Sequence, residues 1–517
     1  MESKEKRTSG IVSEHVSAIF KDYRNQAVIL AVVLAILTIL SCLPYTPQGP
    51  FDARDYTRIT GMRVEQHQWA GLIEPLGAPF QIVAGAPDFR VAGVCSVIWV
   101  LLGAGALGIF AGFRSQSKRT LLGIVLKGIW WAFVAASTLM LVIFLFVAAR
   151  IPGWRLVVDN PDLIVADLHS HTVKSYDGLV SMQTNLNWHA SCGYNLVGLT
   201  EHDQLFSHQT EMPAGSSLDL LPAVISGLEV HSGPRAMVLG LCRDPDIQLT
   251  EPATDKLQDP TSWFSRQIHG DGAGAVIVVT LNDLTTDDVA QLADGGVDGF
   301  EIVNCGHPNL RSDLRQEVLN TCRSRGLVLV ASSDWHGWGG MTRTWTVIRA
   351  PGASALSRTQ RADLAIRKLR ERNPVDVIPV VVGYMGEPSM MRAIFSPVAE
   401  TLRYAQELSP VRVMSWWFWG WAVFVLWALL RRTGAHPGRV LLALLIGGTG
   451  LGLIVSGVSL IGQGAGGAAS YSVHIGLMAL SAGAAAFLAA LIEGLVIVRK
   501  RRYQKLASPS LASSVQL

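Results

Sequence analysis

The chain has 517 residues, of which 49% are hydrophobic and only 16% are charged. Its mean hydropathy of +0.32 argues against a wholly water-soluble protein and indicates a substantial membrane portion, while the length allows two or three domains. The formal net charge of +3 is small for a nucleic-acid-binding protein, so we expect no nucleic-acid partner.

The N-terminal part contains three apolar segments that approach or exceed the length needed to span a membrane, which is roughly 20 residues. They cover residues 27–43, 91–113 and 128–149, and the third can begin as early as Leu121. A basic tail (residues 1–25) precedes them, and residues 44–90 separate the first two. No small-residue cleavage site follows the first segment, which favours an uncleaved anchor. We therefore assign residues 26–150 to three transmembrane helices.

The central part, residues 151–390, begins with an apolar run that ends in Asp167-Leu-His-Ser-His-Thr172. Alternate side chains of a strand project to the same side, so His169 and His171 point together and can bind a transition metal. Two histidines with this spacing are weak evidence alone, because most such pairs are surface residues.

Further candidate ligands follow in the same domain, most of them directly after a short β-branched apolar run. Parallel strands that are buried on both faces have this composition. In barrels of such strands the chemistry gathers at the carboxyl ends, so distant residues can meet in one pocket. The candidates are Asp177, His202, Glu229, His307, Asp334 and His336.

This ordered set of motifs resembles the PHP superfamily, named for polymerase and histidinol phosphatase domains, over roughly residues 162–385. The resemblance implies an α/β fold with a distorted (β/α)7 barrel, two or three metal ions and hydrolysis of phosphoesters. It implies that Glu229 bridges two metals. The first metal's ligands are then His169, His171 and Asp334, and the third metal's ligands are Asp177, His202 and His336. The implied catalytic residues are His169, His171, Glu229, Asp334 and His336.

Two departures from the family pattern affect the second metal position. Many members end a strand in a histidine-proline pair, but residues 276–283 contain no histidine, which leaves Asp283 or Asn282 as the nearest substitute. The usual histidine after the strand of Glu229 is also absent, and Arg235 stands near that point. His307 occupies a place where some members supply another histidine. The first and third positions are therefore better supported than the second.

The candidate ligands suit zinc, manganese or iron better than magnesium or calcium, which prefer all-oxygen ligands. Arg235, Arg311 and Arg343 are candidate phosphate-binding residues because a guanidinium group matches two phosphate oxygens, although arginines are common on any surface. Glu201 and Asp203 either support the metal ligands or cap a helix, with metal binding as a further alternative for Asp203. Glu301 has either a structural, supporting role or a catalytic one. His189 lacks the strand-end context, so we expect a packing or surface residue whose replacement is silent.

The C-terminal part consists of a short connector and three further apolar segments. Residues 391–412 are predicted to form an amphipathic connector, whose helix starts near Ser396 and Pro397. The apolar segments cover residues 413–430, 440–461 and 473–498, and residues 499–517 form a basic tail. Lys and Arg concentrate in both tails and in the second and fourth connections between spans. By the positive-inside rule both termini are cytoplasmic and the central domain is extracytoplasmic, in a multi-pass protein of the cell's inner membrane.

The expected architecture is thus a PHP-type barrel inserted between two three-helix transmembrane segments. The expected activity is metal-dependent phosphomonoester hydrolysis. Six spans exceed what tethering needs, which favours a lipid or lipid-linked phosphate at the extracytoplasmic membrane face. The alternatives are a phosphatase for soluble phosphoesters and a non-catalytic sensory module that binds metal or phosphate. A nuclease and a transporter are less favoured, and the oligomeric state is open.

Overall fold

The computed structural model describes residues 21–43, 49–86, 89–114, 120–203, 205, 221–231, 235–242, 260–270, 274–307, 310–339, 343–383, 389–432, 436–464 and 470–506. Within these residues the N-terminal part forms four α-helices, one 3₁₀ helix (Gln68–Ile73) and two short strands. In chain order the α-helices and strands are α1 (Arg24–Cys42), β1 (Phe51–Asp52), β2 (Met62–Gln66), α2 (Glu74–Ala84), α3 (Phe89–Arg114) and α4 (Leu121–Ala149).

The central domain alternates strands with helices. Its elements are β3 (Trp154–Val158), β4 (Leu163–Ser170), α5 (Met182–Ser191), β5 (Leu196–His202), β6 (Ala223–His231), β7 (Met237–Cys242), α6 (Pro260–His269), β8 (Gly274–Val279), α7 (Thr286–Asp294), β9 (Gly299–Asn304), α8 (Ser312–Arg325), β10 (Val328–Ser332), β11 (Thr344–Arg349), α9 (Arg358–Arg370) and β12 (Val377–Val381). The C-terminal part consists of α10 (Met390–Gln406), α11 (Pro410–Arg432), α12 (Pro437–Gly464) and α13 (Ser470–Leu506).

Six helices in the described part of the chain are long and apolar enough to cross a membrane. They are α1, α3 and α4 before the central domain, and α11, α12 and α13 after it. This confirms the predicted multi-pass arrangement. The third span begins at Leu121, the earlier of the two expected starts, because Thr120 caps the helix by accepting a hydrogen bond from the Gly123 N–H at 3.3 Å.

The central domain is built on one mixed sheet of ten strands in the order β1-β12-β11-β4-β5-β6-β7-β8-β9-β10. Strands β4, β5 and β6 are parallel, as are β8, β9 and β10, while β7 lies antiparallel between β6 and β8. β11 is antiparallel to both β4 and β12. The carboxyl ends of β4, β5, β6, β8, β9 and β10 therefore meet at one edge, which is where the candidate ligands occur in the sequence.

The sheet is curled, and its last strand, β10, returns to β11, which is third from the opposite end of the strand order. The Thr346 hydroxyl of β11 donates to the Ala331 carbonyl and accepts from the Ala331 N–H of β10, each at 2.9 Å. The mixed α/β class and the six flanking helices agree with the sequence prediction. The closed (β/α)7 barrel remains a prediction, because the strand pairing describes a curled ten-stranded sheet.

The strands are buried because their sequences are almost continuously apolar. Every residue of β4, β8, β9 and β10 is buried, and Val276, Ile277 and Val278 have no exposed surface. Such strands need cover on both faces, which the intervening helices provide. Among the buried polar residues, Asp167 and His169 lie in the carboxyl half of β4, and Glu301 lies in the middle of β9.

The edge of the domain that carries the candidate ligands packs against three membrane helices. The Gly339 N–H donates to the Val147 carbonyl of α4 at 3.0 Å, and the Ser181 N–H donates to Gln463 Oε1 of α12 at 2.8 Å. Leu460 of α12 and Ile475 of α13 belong to the same apolar cluster as the domain core. The domain is therefore packed onto the membrane part and is not merely tethered to it.

Helix α10 begins earlier than the sequence predicted. Ser389 caps it by accepting a hydrogen bond from the Arg392 N–H at 3.3 Å, and Pro397 lies inside the helix. The predicted start at Ser396 is therefore wrong. Ser396 and Ser389 are both acceptable caps by residue type, and the apolar residues between them extend the helical face.

Candidate metal centre

Four candidate ligands from three separate strand ends meet in one buried cluster. His169 Nε2 lies 3.1 Å from His171 Nε2 and 3.1 Å from Glu229 Oε2. Asp334 Oδ1 lies 3.3 Å from His169 Nε2 and 3.5 Å from His171 Nε2, and His171 Nε2 is 3.2 Å from Glu229 Oε2. Tetrahedral metal–ligand bonds of about 2.0–2.1 Å separate neighbouring ligands by about 3.3–3.4 Å. The separations among His169, His171 and Glu229 therefore fit three ligands of one metal ion, and Asp334 lies beside the two histidines.

A second group of candidate ligands adjoins the first. Asp177 Oδ1 lies 3.4 Å from His202 Nε2, and Asp177 Oδ2 lies 3.2 Å from His336 Nε2. The rings of His202 and His336 each stack on His171, at centroid distances of 4.5 and 4.1 Å. Asp177 Oδ1 and His202 Nε2 are buried and make no hydrogen bond within the described residues. A cation between them would satisfy both atoms, so this group also fits a metal ion.

Glu229 contacts histidines of both groups. Its Oε2 lies within 3.1–3.3 Å of three imidazole nitrogens, which belong to His169, His171 and His202. Its side chain has 4% relative exposure, so solvent does not compete for this oxygen. On His202 this oxygen faces Nδ1 whereas Asp177 faces Nε2, so Glu229 lies among the ligands of the first group and orients His202 toward the second position.

Neighbouring charges shift the pKa values of several side chains in the cluster. Burial alone opposes a charge on His169, but the carboxylates of Glu229, Asp334 and Glu301 hold its pKa well above the usual range. Burial also disfavours the ionised forms of Glu229 and Asp334, yet the neighbouring histidines hold the pKa of each carboxyl well below its usual range. In the metal-free protein, protons on the imidazole rings therefore neutralise the charge of the carboxylates. A divalent cation can replace these protons.

His169 is oriented by Glu301, the third residue of β9. Glu301 Oε1 lies 3.0 Å from His169 Nδ1, and the Asn304 amide donates to Glu301 Oε2 at 3.1 Å. A carboxylate on one ring nitrogen directs the other nitrogen toward a metal and raises its basicity. Of the two roles that the sequence left open for Glu301, the contacts favour the supporting one.

Glu201 also supports the cluster and is not one of the converging ligands. It accepts hydrogen bonds from the Thr172 hydroxyl at 2.6 Å and the Ser175 hydroxyl at 2.7 Å. Ser175 Oγ in turn lies 3.1 Å from His171 Nδ1. Glu201 thus fixes the turn that follows His171. Asp203, by contrast, has a left-handed backbone (φ 56°), and its N–H donates to the Glu229 carbonyl at 2.9 Å.

His189 has a role that the sequence pattern did not predict. It is buried on α5, with Nδ1 2.9 Å from the Asn185 carbonyl and Nε2 2.9 Å from Asp167 Oδ2. Asp167 Oδ1 accepts the N–H groups of His169 and Ser333, at 3.2 and 3.1 Å, and so links β4 to the segment that carries Asp334. His189 therefore holds the carboxylate that joins two ligand-bearing segments. A helical position away from any strand end gave no signal for this role.

Asp334 is positioned by its backbone and by a glycine. Its φ of 51° is left-handed, a conformation that aspartate tolerates better than most residues, and its N–H donates to the His169 carbonyl at 2.9 Å. A Cβ on Gly306 would lie 2.4 Å from Asp334 Oδ2. A larger residue at position 306 would therefore displace this carboxylate.

Other predicted site residues lie at or beyond the edge of the cluster. His307 Nε2 is 4.0 Å from Asp334 Oδ2, and its side chain is 55% exposed, so it stands at the rim. Asp283 is exposed and belongs to neither converging group among the described residues. The structure therefore supplies no reason to regard Asp283 as the missing ligand.

The three candidate phosphate-binding arginines do not converge on the cluster. Arg235 is exposed and lies 3.8 Å from Asp288. Arg311 pairs with Asp313 at 2.9 Å. Arg343 is buried, donates to the Ala86 carbonyl at 2.5 Å and packs over the Trp154 ring. Burial lowers the pKa of Arg343 to about 10. Within the described residues, neither Arg235 nor Arg343 contacts a candidate ligand.

Comparisons with known proteins do not assign a family. No family model and no curated protein matches this chain. One solved structure that is similar, the crystal structure of PsfC from Pseudomonas syringae PB-5123, covers 48% of this chain and 99% of its own length, at 15% identity and a TM-score of 0.31. A TM-score of this size supports no conclusion about fold or function. The geometry of the site is therefore the main guide to the function.

Proposed function

We propose that this protein is a metal-dependent phosphoesterase of the membrane, with an active site that holds two or three zinc, manganese or iron ions. The observation that carries the proposal is the closeness of the two ligand groups, since Glu229 Oε2 contacts histidines of both, at 3.1–3.3 Å from three imidazoles. Ligand groups this close suit adjacent ions, and adjacent ions are typical of phosphoryl-transfer enzymes. The resemblance of the motifs to the PHP superfamily supports the same activity.

The reaction is hydrolysis, most simply of a phosphomonoester. A water oxygen forms a bond to phosphorus, the phosphorus–oxygen bond to the alcohol breaks, and the alcohol leaves with a proton, so that inorganic phosphate remains. Bound divalent ions supply water activation and charge neutralisation for such a reaction. The chain's own contribution is to hold His169, His171 and Asp334 around one position and Asp177, His202 and His336 around the other.

We further propose that the substrate is a lipid or a lipid-linked phosphate at the extracytoplasmic membrane face. His336 lies in the segment whose Gly339 N–H donates to the Val147 carbonyl, and the Trp338 ring meets Tyr471 of α13 edge-on at 6.3 Å. The candidate site thus lies beside the ends of membrane helices. A phosphate carried by a bilayer molecule can reach such a site while its apolar part stays in lipid.

A substrate comparison tests this proposal. Purified protein in lipid nanodiscs should be loaded with each of the three metals and given either a lipid phosphate in the disc or p-nitrophenyl phosphate in solution. We expect release of inorganic phosphate from the lipid to be the faster reaction. Faster hydrolysis of the soluble ester would favour the soluble-substrate alternative. Stoichiometric metal without hydrolysis of either substrate would favour a sensory module.

A further inference from the structure

Helix α10 has the reverse of the usual amphipathic arrangement. Glu400, Arg403 and Tyr404 are buried, with relative exposures of 9%, 8% and 5%. The opposite face carries large apolar side chains that are 36–79% exposed. They are Met390, Met391, Ile394, Phe395, Val398 and Leu402. Water would favour the opposite orientation, because exposed apolar surface costs about 25 cal/mol per Å².

The buried face of α10 takes part in an ionic network with α2 and the start of α11. The Tyr404 hydroxyl donates to Glu74 Oε1 at 2.5 Å, and Arg412 also pairs with Glu74. Arg403 pairs with Glu400 and lies 3.5 Å from Glu407. Glu74 and Arg412 have relative exposures of 0% and 3%. Helices that enclose their charges and expose their apolar side chains are suited to hydrocarbon surroundings.

The depth of α10 can be read from its contact with α3. The Trp99 indole N–H donates to the Ile394 carbonyl at 2.9 Å, and its ring centroid is 5.9 Å from that of Phe395. Trp99 is eight residues after Val91, where the α3 span begins. At 1.5 Å per residue this places it about 12 Å along the span, against a hydrocarbon half-thickness of about 15 Å. The first turns of α10 thus lie level with acyl chains.

We propose that α2 and α10 form a collar inserted into the hydrocarbon of the membrane leaflet on the domain's side, with the apolar face of α10 in contact with acyl chains. Its occupant is lipid because the face is continuous with a span: only residues 407–409 separate α10 from α11. Leu72 and Leu76 add exposed apolar side chains beside and on α2, with relative exposures of 73% and 45%. The collar adjoins the domain where Arg343 meets the Ala86 carbonyl, just after α2.

Spin-label accessibility in nanodiscs tests the collar independently of any enzymatic activity. Labels are placed singly at Phe395→Cys and Val398→Cys, in a parent that carries Cys42→Ser and Cys95→Ser and whose residual labelling is subtracted. Leu102→Cys on the α3 span is the lipid control and Val375→Cys on the domain surface is the water control, with 63% and 61% exposure of the native side chains. The measured quantity is the ratio of collision rates with oxygen and with a water-soluble nickel complex.

We expect the Phe395 and Val398 labels to give a ratio close to that of Leu102 and well above that of Val375. A ratio equal to that of Val375 at both positions would place α10 in water and overturn the proposal. Exclusion of both oxygen and nickel would overturn it as well, because the face would then be covered by protein, such as a second copy of the chain. Both side chains are about half exposed, and the second position allows the test to stand if one variant fails to fold.

Discussion

Glu301 Oε1 lies 3.0 Å from His169 Nδ1, on the side of the ring opposite to the three candidate ligand atoms around His169 Nε2. The carboxylate and the cluster thus occupy different nitrogens of one buried imidazole. Because the ring can turn only if this contact breaks, Glu301 fixes which nitrogen faces the metal position.

Glu301→Gln should weaken metal binding without abolishing it. An amide keeps the shape but loses the charge that makes the His169 ring more basic, and such partners typically affect metal affinity about 10–100-fold. Metal titration of the variant should show this loss, whereas Glu371→Gln, at an exposed surface pair with Lys368, should bind as the wild type does. Unchanged affinity in Glu301→Gln would contradict the orienting role.

His189→Ala should lower stability and disturb the cluster, contrary to the silent outcome expected from the sequence. It leaves the buried Asp167 carboxylate without one partner, and such a loss costs about 1–3 kcal/mol. Thermal unfolding in detergent and metal content should both be measured. His231→Ala, at an exposed histidine, serves as the control. A variant as stable as the wild type, with full metal content, would restore the original expectation.

Asp283→Ala should retain metal binding and activity. The side chain is exposed and outside both ligand groups, so its removal deletes no candidate ligand. Asp287→Ala, at an exposed residue of α7, is the matched control. A sharp fall in activity for Asp283→Ala alone, with the first metal still bound, would revive its assignment as a substitute for the missing histidine.

Metal binding should release protons near neutral pH. Carboxylates hold the pKa of His169 well above its usual range despite burial, so the metal-free ring carries a proton that a metal must displace. Apparent affinity should therefore rise as pH increases toward that raised pKa. Calorimetric titration in two buffers of different ionisation enthalpy measures the proton count. Equal heats in both buffers would show that no proton is released.

Sequence reasoning succeeded where the signal is local. The six spans depend only on length and hydropathy, and His169, His171 and Glu229 stand at the ends of apolar runs whose direction sets where they meet. It gave no signal where the partner depends on packing, as for His189, which reaches Asp167 from a helix. Asp283 was chosen by proximity in sequence, and its exposed position leaves that assignment a prediction.

Membrane orientation also remains a prediction, and it bears on which substrates the site can meet. A periplasmic reporter fused after Ser333 should be active and one fused after Leu517 should be silent, because Lys and Arg concentrate beside the predicted cytoplasmic ends of the spans. The reverse pattern would place the central domain in the cytoplasm and reopen nucleotide substrates.

The central claim is metal-dependent hydrolysis at the cluster that contains Glu229. Its most direct test is phosphate release from a lipid phosphate in nanodiscs, measured before chelation, after chelation and after return of zinc, manganese or iron. The wild type should lose activity on chelation and regain it with one of these metals, whereas Glu229→Ala should stay inactive throughout, since it removes the oxygen that lies within 3.1–3.3 Å of three imidazoles. Full activity in Glu229→Ala, or activity of the wild type that survives complete chelation, would contradict the claim.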